Sequence, residues 1–350
     1  MLVTKQDFAR LLSATVKVVE TRHNIPIIAT VRLIAADGRL RATATDLDIE
    51  VSTSTPAEGD LKVCVDAKLL ASVVNKAAGN DIDITVNDGN IVVKSGRNRS
   101  TLHTLPVDDF PSMQAGDLPV EFEADLSELF APCQFAMSTE ETRYYLNGVY
   151  LHVLDGRLVA VATDGHRLAR HIGPDSGADF PGIIIPRKTV SVLPRGAITV
   201  RLSQTKIQFV AGDTVITSKL IDGTFPDYQR VIPNSNDKIV TFDVPAMKQA
   251  AERVSVISSE RGRAVRLGIA DGQIVLSVNN ADTGSATEEI AVAYDGEPIE
   301  IGFNSAYLTE LVSQFPAGDV RMALADSGSP TVFTSDKADG LLCVLMPMRV

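Results

Sequence analysis

Cysteine is scarce: Cys64, Cys133 and Cys343 are the only three in 350 residues, odd in number, far apart and never in a Cys-x-x-Cys spacing. That argues against a disulfide framework and against a zinc site, and favours a reducing compartment. No apolar run reaches the roughly 18 residues that a membrane span needs, and the N-terminus lacks the charged-then-apolar plan of a signal peptide. A soluble, cytoplasmic chain with no membrane partner is expected. Catalytic signatures are missing too, with no Gly-x-Gly-x-x-Gly, Gly-x-x-x-x-Gly-Lys-Ser/Thr, Gly-x-Ser-x-Gly or His-Glu-x-x-His. Basic residues are outnumbered, 33 Lys and Arg against 44 Asp and Glu, for a formal net charge of -11. Length alone predicts two or three domains, and 45% apolar with 22% charged residues is ordinary for a globular protein with a full core in each.

What the chain does have is internal repetition. Asp37-Gly-Arg-Leu-Arg-Ala-Thr-Ala-Thr-Asp46 returns as Asp155-Gly-Arg-Leu-Val-Ala-Val-Ala-Thr-Asp164 and, more diverged, as Asp271-Gly-Gln-Ile-Val-Leu-Ser-Val-Asn-Asn280. The starts lie 118 and 116 residues apart, so three periods fill the chain. Leu11, Leu129 and Met247 keep the same register, as do Phe110-Pro111, Phe225-Pro226 and Met346-Pro347 near the ends of the copies. A period this long predicts three similar domains in tandem, 1–118, 119–237 and 238–350, rather than a solenoid of short units.

Within a copy the periodicities alternate. Residues 5–20 place Phe8, Leu11, Leu12, Thr15, Val18 and Val19 on one helical face and Gln6, Arg10, Ser13 and Lys17 on the other. Alternating strands are predicted at Ile27 to Ala35, Arg39 to Thr45 and Ile49 to Ser54, with turns at Asp37-Gly38 and near Asp46. A second helix, Asp66 to Ala78, turns Leu69, Leu70, Val73, Val74 and Ala77 inward, and strands at 82–86, 91–94 and 100–104 close the copy. A strand, a helix and three strands are thus stated twice. Matching helices are expected at Leu126 to Ser138, Arg187 to Arg195, Val244 to Val256 and Asn304 to Phe315. The fold class is α+β, with two helices per copy on one side of antiparallel sheet. Copies set in an arc with their helices on the concave side would line the inside with polar stripes.

Thr163-Asp164-Gly165-His166-Arg167, followed by His171, is the cluster closest to an enzyme's. Asp164 could orient His166 as a general base, or the two histidines could hold a metal. An Asp-Gly turn at a strand end accounts for the same residues without a nucleophile or third ligand, and copy one has Asp46-Leu47-Asp48 at the same place. A hydrolase built on Asp164 and His166, and a repeat protein with a peptide groove and no nucleic acid, are the two alternatives that stand beside the reading below.

Arg143-Tyr-Tyr-Leu-Asn-Gly148, Ala162-Thr-Asp-Gly-His-Arg-Leu-Ala169, Ser218-Lys-Leu-Ile-Asp-Gly-Thr-Phe-Pro-Asp-Tyr228 and Met346-Pro-Met-Arg-Val350 resemble the bacterial sliding clamp family, the beta subunits of DNA polymerase III holoenzyme. The resemblance spans the chain in the family's order. It implies a non-catalytic processivity factor without cofactor or metal. It also implies tandem DNA-clamp domains that dimerise head to tail into a six-domain ring around duplex DNA, with twelve helices lining the hole. A ring tolerates the acidic balance, because topology rather than phosphate affinity prevents escape.

Candidate lining cations are Arg10, Lys17, Lys68 and Lys76 in copy one and Arg187, Lys188 and Arg195 in copy two; copy three offers Lys248 and Arg253. The resemblance adds Arg22, Tyr144 and Tyr145 as DNA contacts near the rim, and places Glu140 where relatives carry a polar residue such as Gln. It further implies a cleft for Gln-Leu-x-Leu-Phe peptides of the polymerase alpha subunit, the clamp loader and other partners. Carried over residue by residue, that cleft is Leu146, Thr163, Gly165, His166, Arg167, Leu168, Pro226, Arg230, Val231, Val344, Met346, Met348, Arg349 and Val350. Leu168, Val231, Val344 and Met346 would bury the peptide's Leu and Phe, while His166, Arg167 and Arg349 would hold polar groups. Pro330 stands at the cleft's edge where relatives often carry a small polar residue. Val256 and Ile257 are expected at the dimer contact, facing copy one's last strand at Leu102, with Ser100 where relatives often carry a large apolar residue.

Overall fold

The computed structural model describes residues 1–20, 25–258 and 263–349. The first repeat runs β1 (Leu2–Thr4), α1 (Lys5–Val16), β2 (Thr30–Ala36), β3 (Arg39–Thr45) and β4 (Ile49–Pro56), then β5 (Leu61–Asp66), α2 (Ala67–Asn75), β6 (Asp81–Asn87), β7 (Asn90–Ser95) and β8 (Asn98–Leu105). The second runs β9 (Val120–Ala124), α3 (Leu126–Phe130), β10 (Gly148–Leu154), β11 (Arg157–Thr163) and β12 (Arg167–Asp175), then β13 (Ile183–Pro186), α4 (Arg187–Ser191), β14 (Ile198–Leu202), β15 (Lys206–Ala211) and β16 (Thr214–Lys219). The third runs β17 (Lys238–Asp243), α5 (Val244–Ser255), β18 (Ala264–Ala270), β19 (Gln273–Asn280) and β20 (Gly284–Ala291), then β21 (Ile299–Asn304), α6 (Ser305–Val312), β22 (Asp319–Leu324), β23 (Thr331–Thr334) and β24 (Leu341–Leu345). Strand, helix and three strands, twice per copy, is the order read from the sequence; β1 and β5 were not among the strands located by periodicity.

Two compact units emerge: Met1–Ser127 with Lys188–Leu220, and Glu128–Arg187 with Ile221–Val350. The units differ from the repeats because strands pair across repeat boundaries. In the first unit one sheet runs β1-β6-β7-β8-β5-β2-β3-β4-β16-β15-β14-β9, and β4 joins β16 antiparallel from Thr53↔Thr214 to Ile49↔Ser218. In the second, β13-β10-β11-β12-β24-β23-β22-β17 form one sheet and β20-β19-β18-β21 another, with β12 joined to β24 from Arg167↔Leu345 to His171↔Leu341. β4 and β12 are equivalent strands, and each is completed by the last strand of the following repeat.

Local chemistry explains the boundaries. Asp37 (φ 51°) and Gly38 (φ 75°) share the left-handed region, as do Asp155 and Gly156, so both hairpins take the turn that matches the strands' twist. Thr4, Asp66, Asp243 and Asn304 cap α1, α2, α5 and α6 through side-chain oxygens that accept backbone N–H groups. Phe8, Leu11, Leu12 and Thr15 are buried on α1 as expected, but the helix stops at Val16, and Val18 and Val19 enter the core from the turn beyond it.

Several expected elements are corrected. The segment predicted as a strand from Ile27 begins as a 3-10 turn, Pro26–Ala29, and β2 starts at Thr30. The helix expected over Leu126 to Ser138 ends at Phe130 and tightens into a 3-10 turn, Ala131–Ala136, because Pro132 supplies no N–H to the ladder. That expected over Arg187 to Arg195 stops at Ser191, ahead of Pro194. On α2, Leu70 and Val74 are buried, but Leu69 is 50% exposed beside Lys68.

Candidate functional site

The turn joining β11 to β12 organises one wall of the candidate cleft. Asp164 Oδ1 accepts from the amides of His166 (2.9 Å) and Arg167 (3.0 Å). Thr163 Oγ1 accepts from the Gly165 amide (3.1 Å) and donates to the Arg167 carbonyl (2.8 Å). The other Asp164 oxygen takes Arg167 Nε at 3.0 Å, so the carboxylate orients a turn and a guanidinium rather than His166. His171 bonds the Leu129 carbonyl through Nδ1 at 2.9 Å. Neither the base nor the metal arrangement considered from the sequence is assembled here.

Arg167 is the most constrained side chain of the set. Its guanidinium pairs with Asp164 and with Glu310 of α6, and lies 4.3 Å over the Tyr307 ring and 5.1 Å from that of Phe135. Only 10% of the side chain is exposed. Arg167, expected against a ligand's polar groups, has these contacts within the protein itself. Tyr307, whose ring centroid is 6.1 Å from that of His166, was missed. Its only sequence signal is a tyrosine near the start of α6, since 140 residues separate it from the turn it meets.

Beneath this wall lies an apolar floor. Leu146, Leu168 and Val344 are buried in one cluster with Val159, Val161, Ile184, Phe225, Tyr228 and Val332. Val231 and Met346, by contrast, are 54% and 42% exposed, so buried floor and exposed apolar side chains are present together. Tyr228 hydrogen-bonds His152 Nε2 through its hydroxyl (2.9 Å), and Tyr150 stacks between His152 (5.1 Å) and Phe225 (4.7 Å). Burial lowers the His152 pKa below its ordinary 6.5, against a smaller opposing effect of the Val153 carbonyl. Pro226 and Arg230 are exposed, and Arg230 pairs with Asp227 at 2.8 Å. Pro330 offers its carbonyl to Asn236 Nδ2 at 2.9 Å.

The C-terminal tail divides between two places. The Met346 amide donates to the His166 carbonyl (2.8 Å), whereas the Met348 amide donates to Gly302 of β21 (2.8 Å). Met348 and Arg349 line a recess of about 640 Å³ that also includes Arg266, Glu300 and Gly302. Val350 lies outside the described residues.

The described candidate cations belong to both units. In the first unit α1 packs beside α2; Arg10, Lys17 and Lys76 are exposed and Lys68 partly so. Arg10 pairs with Asp7 at 2.8 Å. Lys188 pairs with both Asp46 and Glu20. Arg195 of the first unit and Arg187 of the second are exposed, and Arg22 lies outside the described residues. In the second unit Tyr144 is 53% exposed, Tyr145 is half-buried, and their rings meet edge-on at 5.8 Å. Arg253 is held by Glu288 and Lys248 is half-buried. Of the expected contact residues, Val256 is 84% exposed, Ile257 half-buried, and Leu102 buried in its own unit.

Comparison with known proteins gives this architecture its class. Models of the N-terminal, central and C-terminal domains of the DNA polymerase III beta subunit match residues 1–114, 123–227 and 229–349. The beta sliding clamp of Caulobacter vibrioides is 39% identical over all of both chains, and that of Escherichia coli K12 is 35% identical over 94% of each. A solved sliding clamp from Bartonella birtlesii, bound to griselimycin, superposes with a TM-score of 0.96 at 40% identity, covering 100% of this chain and 99% of that one. A Caulobacter crescentus clamp with polyethylene glycol in a putative beta-motif tethering region gives 0.93 at 39% identity, with the same coverage. Three tandem α+β clamp domains make the protein a DNA sliding clamp, a non-catalytic processivity factor. The chain belongs to the DNA polymerase III beta subunit family.

Proposed function

We propose that two copies of this chain close head to tail into a six-domain ring around duplex DNA, each built from domains at 1–118, 119–237 and 238–350. Strand equivalence carries the reading. The third strand after the first helix of a repeat is β4, β12 or β20; β4 takes β16 and β12 takes β24, each the last strand of the next repeat. β20 ends its sheet, and β8, the last strand of the first repeat, meets β5 only through Thr104 and Leu105. Pairing β20 of one copy with β8 of another repeats the junction already used twice and leaves no such edge open. Exposed Arg97 and Arg99 at β8 and Glu289 on β20 carry opposite signs. Val256 and Ile257 lie at the end of α5, where the contact with the other copy's α2 and β8 is expected.

Arg10, Lys17, Arg22, Lys68, Lys76, Arg187 and Arg195 are proposed to meet phosphates loosely and without base readout, with Tyr144 and Tyr145 near the rim. The cleft around Leu168, Val344 and Met346 is proposed to take Gln-Leu-x-Leu-Phe peptides of the polymerase alpha subunit, the clamp loader and other partners in the bacterial cytoplasm. No helix among the described residues is long and apolar enough to cross a membrane. The test is retention on DNA after loading: the clamp should stay on circular duplex and leave the same duplex once linearised. Replacing Arg22, Lys68 and Arg187 together with Ala should shorten retention while dimer mass is kept. Equal retention on circular and linear DNA would contradict encirclement.

A further inference from the structure

The loop that carries Tyr144 and Tyr145 is tied back on itself. The Ser138 amide donates to the Leu146 carbonyl (3.0 Å), the Glu140 amide to Ser138 Oγ (3.1 Å), and Asn147 Nδ2 to the Glu140 carbonyl (3.0 Å). Inside it Arg143 leaves helical geometry, at φ -111° and ψ 49°. Its guanidinium grips Glu140 with two nitrogens, Nε to Oε2 at 2.8 Å and Nη2 to Oε1 at 2.6 Å. The third nitrogen covers the cleft turn: a Cβ built on Gly165 would lie 2.6 Å from Nη1, and Gly165 itself sits at φ +89°. Two residues on from Gly165's neighbour Asp164, the His166 carbonyl holds the Met346 amide at 2.8 Å. The contacts therefore run Glu140, Arg143, Gly165, His166, Met346, from the tyrosine loop to the tail.

We propose that Glu140 is a positioning residue of the peptide cleft: by fixing Arg143 against Gly165 it sets the turn that carries His166 and anchors Met346, and so couples the tyrosine loop to partner docking. This rests on the cleft reading given above. The negative charge at 140, unexpected for a DNA-facing residue, has a use in the protein itself. The same geometry gives the coupling its direction, since a duplex phosphate reaching Arg143 would compete with the Glu140 carboxylate for the same donors. The i, i+3 spacing can also be served by a shorter acid, as Arg10 with Asp7 and Arg230 with Asp227 demonstrate in this chain.

The test uses the full-length dimer and a synthetic acetyl-Gln-Leu-Ala-Leu-Phe peptide, with calorimetric affinities at low and high salt. Glu140→Gln should weaken the peptide roughly threefold at low salt, the scale of an exposed but bidentate pair, and Glu140→Asp should restore most of it. The gap between wild type and Glu140→Gln should close at high salt, where exposed charges are screened. Hydrogen exchange of segment 163–168, measured without peptide, should be faster in Glu140→Gln than in wild type or Glu140→Asp. Equal exchange and equal low-salt affinity in wild type and Glu140→Gln would overturn the coupling. So would an Asp variant as impaired as the Gln one. A wild type that fails to bind the peptide would refute the cleft reading alone, because the exchange rates still report on the brace.

Discussion

Asp46 and Asp164, 118 residues apart, make one turn twice. Asp46 Oδ1 accepts from the amides of Asp48 (2.9 Å) and Ile49 (2.8 Å), as Asp164 Oδ1 does from His166 and Arg167. Each second oxygen holds a cation, Lys188 for Asp46 and Arg167 for Asp164. Leu47 and Gly165 follow them at φ 81° and 89°. The second copy makes the same turn with glycine in place of leucine, where Arg143 lies close.

Gly165→Ala should therefore destabilise the fold by roughly 1–2 kcal/mol through left-handed strain, and should also displace Arg143. Urea unfolding monitored by far-UV dichroism measures the first effect. No change in midpoint would mean that the backbone relaxes without cost.

Arg167→Ala should cost about 2–3 kcal/mol, because it strips a charged partner from the largely buried Asp164 and from Glu310. Arg10→Ala, at an exposed pair, should stay within about 0.5 kcal/mol of wild type. Similar losses in both would show that Arg167 is not the tie its geometry indicates.

His152 makes stability depend on pH. Its folded-state pKa lies below the ordinary 6.5 because burial disfavours the cation, so below that value the unfolded chain binds more protons than the folded one. The contribution is fully present above the ordinary value and is lost as pH falls from there toward the lowered one. His152→Gln cannot titrate, so the Tm difference between wild type and this variant should shrink between pH 7.5 and 5.5. A constant difference would mean that His152 keeps its ordinary affinity for protons in the fold.

Much of this was legible in the sequence, for physical reasons that differ by element. Asp-Gly turns and the apolar face of α1 are local, and the Asp-Gly turn stands in all three copies. Pro132 and Pro194 were equally visible, yet apolar periodicity alone ran the helices through them. What could not be read is non-local: β4 finding β16, or Glu310 and Tyr307 reaching Arg167 from α6. No spacing rule encodes a partner more than a hundred residues away. Leu69 shows the same limit, because helical periodicity says which residues share a face but not how much of that face is covered.

Peptide affinity should respond to the exposed tail more simply than to the buried floor. Met346→Ala should weaken a Gln-Leu-x-Leu-Phe peptide by about tenfold, the scale of one buried apolar anchor at roughly 1.5 kcal/mol. Leu168→Asp should weaken it further by placing a charge in the core cluster. Calorimetry on variants of unchanged dimer mass decides it, and equal affinities would place partner docking elsewhere.

The most direct test of the ring is the mass of the protein in solution. Sedimentation equilibrium at micromolar concentration should give about 75 kDa, twice the 37.5 kDa chain, and charge-reversing Arg97 and Arg99 to Glu should shift the population toward the single chain. A lone 37.5 kDa species for the wild type would contradict closure through β20 and β8.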